Sequence, residues 1–153
     1  MVAISELGSA EVLAVLALFL MLVEKKEKKL SGILLLAGVA LAYQMTRLIK
    51  NWVAIPRPFH TLPDVNLLVY AHGFSFPSGH STMAFTAAFI ISAYFKRYLL
   101  IYSLAFLVGI SRVYMGIHYP TDVLAGALLG TAVGYILVKI AERSGFDPNR
   151  PQS

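Results

Sequence analysis

Long apolar stretches alternate along this chain with short polar breaks. Several of the stretches approach the roughly 20 residues that a helix needs to span a bilayer. We predict five transmembrane helices, at Leu7–Val23, Leu30–Ile49, Ser78–Phe95, Tyr98–Tyr114 and Thr121–Ile140. Only one connection, from Asn51 to Pro77, is long enough to build further structure. The pattern therefore predicts an all-α, polytopic membrane bundle of about five helices with an interfacial loop.

Composition supports a membrane protein. The 153 residues are 58% hydrophobic and 14% charged, with a mean hydropathy of +0.69, whereas soluble domains are about 25% charged. The alternative is a very apolar soluble bundle, which would keep little polar surface to face water. Because five helices use nearly the whole chain, we expect one transmembrane domain at 1–143 and a disordered cytoplasmic tail at 144–153.

The distribution of positive charge predicts an orientation in the membrane. Nine of the 13 Lys and Arg lie on one side of a five-span bundle, at Lys25, Lys26, Lys28, Lys29, Lys96, Arg97, Lys139, Arg143 and Arg150. Cytoplasmic loops carry such an excess, so we expect an outer N-terminus and a cytoplasmic C-terminus in the cell membrane. The net charge of +5 is thus explained by the bilayer, and we expect no nucleic-acid partner.

The first span has two features of its own. No Lys or Arg precedes Glu24, so the segment lacks the basic leader of a cleavable signal peptide, and we expect a retained span. Glu11 lies within it, at the outer end or inside the bundle, and we assign it no role. The chain has no cysteine, which excludes disulfides, thiol catalysis and thiolate metal sites.

Three polar clusters sit at the predicted outer ends of the apolar segments. Together they contain three cations, a hydroxyl, two imidazoles and a carboxylate, which are the groups needed to bind and cleave a phosphate ester. The clusters are Lys50 with Arg57-Pro58, Pro77-Ser78-Gly79-His80, and Ser111-Arg112 with His118 and Asp122. Ionisable groups near a bilayer are expensive and usually functional. The alternative is that the cations merely extend to the interface from helix ends and that the histidines pack in the core.

The second and third clusters contain helix starts. Pro77 and Ser78 are typical of an N-cap, and Gly79 allows a ligand to approach the amides of a helix start; a cap without further function is the alternative. Asp122 follows Pro120 in the first turn of the last helix, where the helix dipole favours an anion. Gly126, Gly130 and Gly134 share its face, which predicts close packing inside the bundle rather than a dimer interface.

The long connection is rich in aromatic residues that suit the bilayer interface, at Trp52, Phe59, Tyr70, Phe74 and Phe76. It either covers the bundle as an interfacial lid or selects the substrate. We interpret His60 and His72 as solvent-exposed interfacial histidines.

The ordered spacing of the clusters closely resembles the signature of the type 2 phosphatidic acid phosphatase superfamily. The pattern is Lys-x6-Arg-Pro, Pro-Ser-Gly-His and Ser-Arg-x5-His-x3-Asp. It is matched here at Lys50, Arg57, Pro58, Pro77, Ser78, Gly79, His80, Ser111, Arg112, His118 and Asp122. The resemblance covers roughly Leu30 to Ile140 and includes no inserted outer domain.

The resemblance implies a role for each matched residue. His118 would be the nucleophile that forms a phosphohistidine, Asp122 would orient its ring, and His80 would be the general acid. Lys50, Arg57 and Arg112 would neutralise the phosphoryl oxygens, with the Ser78 hydroxyl and the Gly79 amide completing the cradle. Three cations and one carboxylate suit no divalent metal, so we expect no cofactor.

The substrate stays open among lipid phosphates. Phosphatidic acid, phosphatidylglycerol phosphate and a polyprenyl diphosphate all suit an outward-facing site at membrane level, and the small bundle favours the last. The alternatives are a vanadate-dependent haloperoxidase, a catalytically silent lipid-headgroup binder and a transporter subunit. We interpret Arg47 as a cation that only extends to the interface, and the sequence gives no oligomeric state.

Overall fold

The computed structural model describes residues 1–24 and 26–145, and every regular element in that part of the chain is helical. The elements are α1 Val2–Glu6, α2 Ala10–Val23, α3 Lys26–Val53, α4 Pro58–Thr61, α5 Gly79–Phe95, α6 Tyr98–Tyr114 and α7 Pro120–Arg143. The chain is therefore all-α, as predicted. The predicted disordered tail lies, from residue 146 onwards, outside the described residues.

Five of these helices correspond to the five predicted spans, and four of them have different ends. Helix α6 has the predicted bounds, whereas α3 extends beyond Leu30 and Ile49 at both ends. The predicted start of the first span at Leu7 is wrong. Helix α2 begins only at Ala10, because the Ser9 side chain caps it by accepting a hydrogen bond from the Val12 amide at 3.3 Å.

Helix α5 is the centre of the bundle and packs against α3, α6 and α7. Small and hydroxyl-bearing side chains allow this, because they are buried on several sides of the helix at Ser81, Thr82, Ala84, Thr86, Ala87 and Ala88. The buried hydroxyls of Thr82 and Thr86 donate to carbonyls one turn earlier, at 2.9 Å each. Hydroxyls paired in this way do not oppose close helix packing.

The glycines of α7 lie directly against α5, as the sequence predicts. A Cβ at Gly126 would come within 2.7 Å of the Ser78 carbonyl oxygen, and one at Gly130 within 2.1 Å of that of Thr82. The Thr86 hydroxyl also donates across the interface to the Gly130 carbonyl at 3.0 Å. Small residues at this spacing let two helix backbones approach closely, and here they serve packing within the chain.

The outer surface of the bundle is apolar, whereas its interior is rich in small residues. Leu22 is 82% exposed, Leu99 86% and Leu128 75%. Two stretches of the described chain are long and apolar enough to cross a membrane, namely Lys28–Thr61, which contains most of α3 together with α4, and Pro120–Arg143. Ala10–Val23 and Tyr98–Tyr114 are shorter apolar helices. Large apolar side chains facing outward around a small-residue core are typical of a membrane bundle. The number of spans stays a prediction.

The helix ends bring the three polar clusters together. Lys50 is in the last turn of α3 and Arg112 in the last turn of α6. His80 is in the first turn of α5, and Asp122 is in the first turn of α7. Since two of these helices end where the other two begin, the fold concentrates the ionisable side chains at one end of the bundle.

Candidate active site

A cavity of about 540 Å³ opens at this end of the bundle. Six of the eight site residues predicted from the sequence line it, namely Lys50, Arg57, Gly79, His80, Arg112 and His118. The other two, Ser78 and Asp122, are buried behind the lining. The cluster inferred from three separate sequence motifs is therefore one site in space.

His118 lies in the connection between α6 and α7, and its ring is held from both sides. Its Nδ1 is 3.1 Å from Oδ2 of Asp122, one turn later in the chain. Its Nε2 is 3.3 Å from Nη1 of Arg57. Because a carboxylate only accepts, the proton of a neutral ring resides on Nδ1 and the lone pair is on Nε2.

Asp122 connects three segments of the chain. Besides His118, its Oδ2 accepts hydrogen bonds from the Tyr119 amide at 2.9 Å and from the Ser75 hydroxyl. Its backbone carbonyl accepts from the Ser78 amide at 3.0 Å. The carboxylate thus caps α7 and ties His118 to the long connection, while the backbone carbonyl of the same residue contacts the start of α5.

Arg57 is buried and uses its guanidinium as a tether. Its Nε donates to the Gly73 carbonyl at 3.0 Å, its Nη2 to the His72 carbonyl at 2.9 Å, and its Nη1 to the Ile117 carbonyl at 2.9 Å. One side chain therefore fixes the end of the long connection to the segment that carries His118. The planar fork of arginine suits such divergent acceptors.

Lys50 and Arg112 complete a cationic lining. The ammonium group of Lys50 donates to the carbonyls of Phe74 at 2.6 Å and Ser75 at 2.9 Å. Arg112 is buried, with its Nη1 donating to the Ser5 hydroxyl, and its Nε has no hydrogen-bond partner. A buried charged donor without an acceptor is costly, so an anion in the cavity would stabilise it.

Ser78 and Gly79 form the start of α5. The Ser78 hydroxyl caps the helix by accepting from the Ser81 amide at 3.4 Å, and it also accepts from the Ser81 hydroxyl at 2.9 Å. The residue is fully buried rather than part of the lining. Gly79 does line the cavity, and the amides of a first helical turn have no carbonyl partner within the helix. The backbone thus offers an oxyanion site, while binding by the Ser78 hydroxyl stays a prediction.

The surroundings make His118 a neutral base. Burial of the ring lowers its pKa from the usual 6.5 to about 4. The hydrogen bond to Asp122 opposes this shift, and the positive charges of Lys50, Arg57 and Arg112 add to it. His118 is therefore unprotonated on Nε2 above about pH 4, which is the state in which an imidazole acts as a nucleophile.

Two predicted peripheral histidines differ in position. His60 is exposed and its ring packs at 4.2 Å from that of Phe59, away from the cavity. His72 is also exposed and lines the cavity rim, where its backbone carbonyl accepts from Arg57. Within the described residues, no three His, Cys, Asp or Glu side chains form a group that would hold a metal ion.

Sequence reasoning missed two residues of the site. Ser75 donates to the Asp122 carboxylate, and Ser5 accepts from Arg112 across 107 positions of the chain. Neither serine lies in one of the three clusters. Both are completely buried polar side chains, a property that only the tertiary structure reveals.

Residues 31–146 match the family model of the PAP2 superfamily. Curated relatives include the bacitracin transport permease protein BcrC of Bacillus licheniformis, 42% identical over 59% of this chain and 45% of its own length. Another is an undecaprenyl-diphosphatase of Sulfolobus acidocaldarius, 34% identical over 79% of this chain and 60% of its own length. The chain thus spans about half the length of these relatives.

Solved structures resemble the fold as a whole. A transmembrane PAP2-type phosphatidylglycerolphosphate phosphatase from Bacillus subtilis superimposes with a TM-score of 0.78 at 30% identity. The match covers 93% of this chain and 75% of that one. The sequence match and the structural match therefore agree on the family and on a membrane location.

The protonation of His118 can be measured directly. Histidine-selective ¹⁵N labelling in detergent should show a neutral His118 ring with its proton on Nδ1 at pH 7. A second proton should bind only as the pH approaches about 4, because burial lowers the pKa. His118→Ala identifies the resonance. A His118 that is an imidazolium at pH 6 would contradict the geometry described here.

Proposed function

The chain belongs to the PAP2 superfamily, and from this premise we propose that it is an integral membrane lipid phosphatase that hydrolyses a lipid phosphomonoester or diphosphate. One observation carries the proposal. His118 lines the cavity together with Lys50, Arg57 and Arg112, with its Nδ1 held by Asp122 and its Nε2 3.3 Å from the Arg57 guanidinium. A nucleophile facing a cluster of fixed positive charges is the arrangement that phosphoryl transfer needs.

In the first step, Nε2 of His118 attacks the phosphorus of the bound substrate. The P–N bond forms while the P–O bond to the lipid breaks, giving a phosphohistidine. The proton on Nδ1 stays hydrogen-bonded to Asp122, which stabilises the positive charge that develops on the ring. A protonated His80, which lines the same cavity, donates its proton to the departing oxygen.

In the second step, the roles of the two histidines are reversed. His80, now neutral, accepts a proton from a water molecule as the water oxygen attacks the phosphorus. The P–N bond breaks, inorganic phosphate leaves, and both rings return to their starting states. Splitting one displacement into two easier ones is the gain of covalent catalysis.

The cations supply the charge stabilisation in this scheme. Lys50, Arg57 and Arg112 neutralise the phosphoryl oxygens, and the Gly79 amide adds a backbone donor. We propose that the reaction needs no metal ion, because protein side chains already provide three positive charges. The donor set, with the Glu11 carboxylate in the lining and that of Asp122 buried behind it, is poor in the oxygen ligands that hard divalent ions prefer.

The principal alternative is a protein that binds or transports lipid headgroups without chemistry, and one relative is named as a transport permease. Binding an anion would require the cations alone. It would not require an imidazole whose ring is oriented by a buried carboxylate. We therefore favour catalysis.

We also propose an orientation in the membrane. Lys50, Arg112 and Asp122 mark the end of the bundle that holds the cavity. Lys28, Lys96 and Arg143 lie at helix ends of the opposite side, where a positive-inside bias places the cytoplasm. The cavity then faces the extracytoplasmic side, at the level where lipid headgroups reside.

Phosphate release by purified protein in detergent tests the proposal. Phosphatidic acid, phosphatidylglycerol phosphate and a polyprenyl diphosphate form the substrate panel. We expect release from at least one of them in excess chelator, and a loss of about a thousandfold or more in His118→Ala because no other side chain replaces the nucleophile. His60→Ala, which alters a histidine away from the cavity, is the matched control. No release from any lipid would support the headgroup binder instead.

Substitution of His80 separates acid catalysis from structure. His80→Ala should slow hydrolysis of a lipid alkyl phosphate by about a hundredfold or more, because the alkoxide needs a proton to leave. The aryl oxide of an activated aryl phosphate can leave without that proton, so the rate of its hydrolysis should fall much less. Equal losses with both substrates in steady-state assays would assign His80 a structural role.

Introduced cysteines test the orientation, since the chain has none of its own. A cysteine at Asp64 should react with an impermeant thiol reagent in intact cells, whereas one at Lys28 should react only after permeabilisation. The reverse labelling would place the cavity on the cytoplasmic side and remove the case for an outer-leaflet substrate.

A further inference from the structure

The cavity extends beyond the cationic cluster along one face of α3. Tyr43, Thr46, Arg47 and Lys50 all line it, at the three- and four-residue spacing that places side chains on one helix face. A helix rises about 1.5 Å per residue, so Arg47 lies about 4.5 Å further from the outer end of α3 than Lys50. The proposed mechanism uses only Lys50 from this face.

Thr46 lines this part of the cavity and carries a buried polar group that is not used within the protein. The residue is only 3% exposed, and its hydroxyl has no hydrogen-bond partner. Its methyl group faces the start of α5, where a Cβ at Gly79 would be 3.5 Å away. A buried hydroxyl without a partner costs stability, and this cost is recovered if a ligand oxygen binds there.

Arg47 has a free cationic group at the same place. Its guanidinium lies 5.7 Å from the centre of the Tyr43 ring, and it forms no ion pair in the described part of the chain. Arg57, in contrast, already donates to three backbone carbonyls. Arg47 is therefore the cation of the cavity whose donors are most available to a ligand.

The cations of the cavity are spread over more than the part that faces His118. Arg47 brings the lining cations to four, against one carboxylate in the lining, that of Glu11. A phosphate monoester carries up to two negative charges and a diphosphate monoester up to three. Because Arg47 is a cation in addition to the three that the mechanism uses, the lining offers positive partners to both phosphates of a diphosphate.

We propose that Arg47 and Thr46 form a second phosphate subsite, which binds the lipid-proximal phosphate of a lipid diphosphate while its terminal phosphate faces His118. This inference rests on the proposed function and names its substrate class. When the bond between the terminal phosphorus and the bridging oxygen breaks, that oxygen leaves as part of a lipid monophosphate. Arg47 neutralises the charge that develops on this leaving group.

Comparison of a diphosphate with a monophosphate on the same lipid tests the subsite. Geranylgeranyl diphosphate and geranylgeranyl monophosphate in detergent micelles are the probes, and kcat/KM is measured for each. In Arg47→Ala, kcat/KM for the diphosphate should fall about ten- to a hundredfold more than kcat/KM for the monophosphate, because a charge-assisted contact is removed. Arg47→Lys, which keeps the positive charge, should retain part of the preference for the diphosphate.

A control on the same helix and a soluble probe complete the test. Lys29→Ala removes a cation from the other end of α3, outside the cavity, and should leave the diphosphate-to-monophosphate ratio unchanged. Inorganic pyrophosphate should inhibit the wild type more tightly than phosphate does, and Arg47→Ala should abolish that difference. Equal losses on both lipids, or an unchanged pyrophosphate affinity, would overturn the subsite.

Thr46→Val adds a stability readout. The substitution removes a hydroxyl that has no protein partner, so thermal stability in detergent should stay equal or rise while the preference for the diphosphate falls severalfold. A less stable variant with an unchanged preference would show that the hydroxyl serves only the fold. If the wild type releases phosphate from neither probe, the proposed function is contradicted. If it prefers the monophosphate, only the subsite is contradicted.

Discussion

The carboxylate of Asp122 is the contact on which the site depends. It accepts hydrogen bonds from the His118 ring, the Ser75 hydroxyl and the Tyr119 amide. The start of α7 and the end of the long connection, 47 positions apart in the sequence at Ser75 and Asp122, therefore meet at one buried oxygen. A carboxylate is stable there because it lies in the first turn of α7, where free amides and the helix dipole favour an anion. The nucleophile is thus positioned by the same interaction that begins the last helix.

The cations of the site have two tasks. Arg57 and Lys50 donate to backbone carbonyls at residues 72–75, so in the ligand-free state they hold the end of the long connection over the bundle. A phosphate in the cavity competes with these carbonyls for the same donors. The long connection and the phosphate site are therefore coupled, and the connection is part of the site rather than a separate cover.

The sequence predicted the helices and the clustered residues because both leave local signals. Apolar runs reveal the helices, and residues such as Asp122 occupy helix starts that Pro and Gly mark. The contacts of Ser75 and Ser5 were not predictable, since each forms across a long sequence separation. The cap formed by Ser78 was predicted, but its burial depends on how closely α7 approaches α5. Arg47 was interpreted as an interfacial cation, because only the folded α3 shows that it lines the cavity.

The central claim is that His118 becomes covalently phosphorylated. The direct test is to stop the reaction of the purified protein with a phosphorus-labelled lipid substrate by a quench without acid. The labelled peptide is then identified by mass spectrometry. A phosphoryl group is expected on His118, and it should be lost on exposure to acid and absent from His118→Ala. Steady turnover with no label on the protein, or label on another residue, would contradict it.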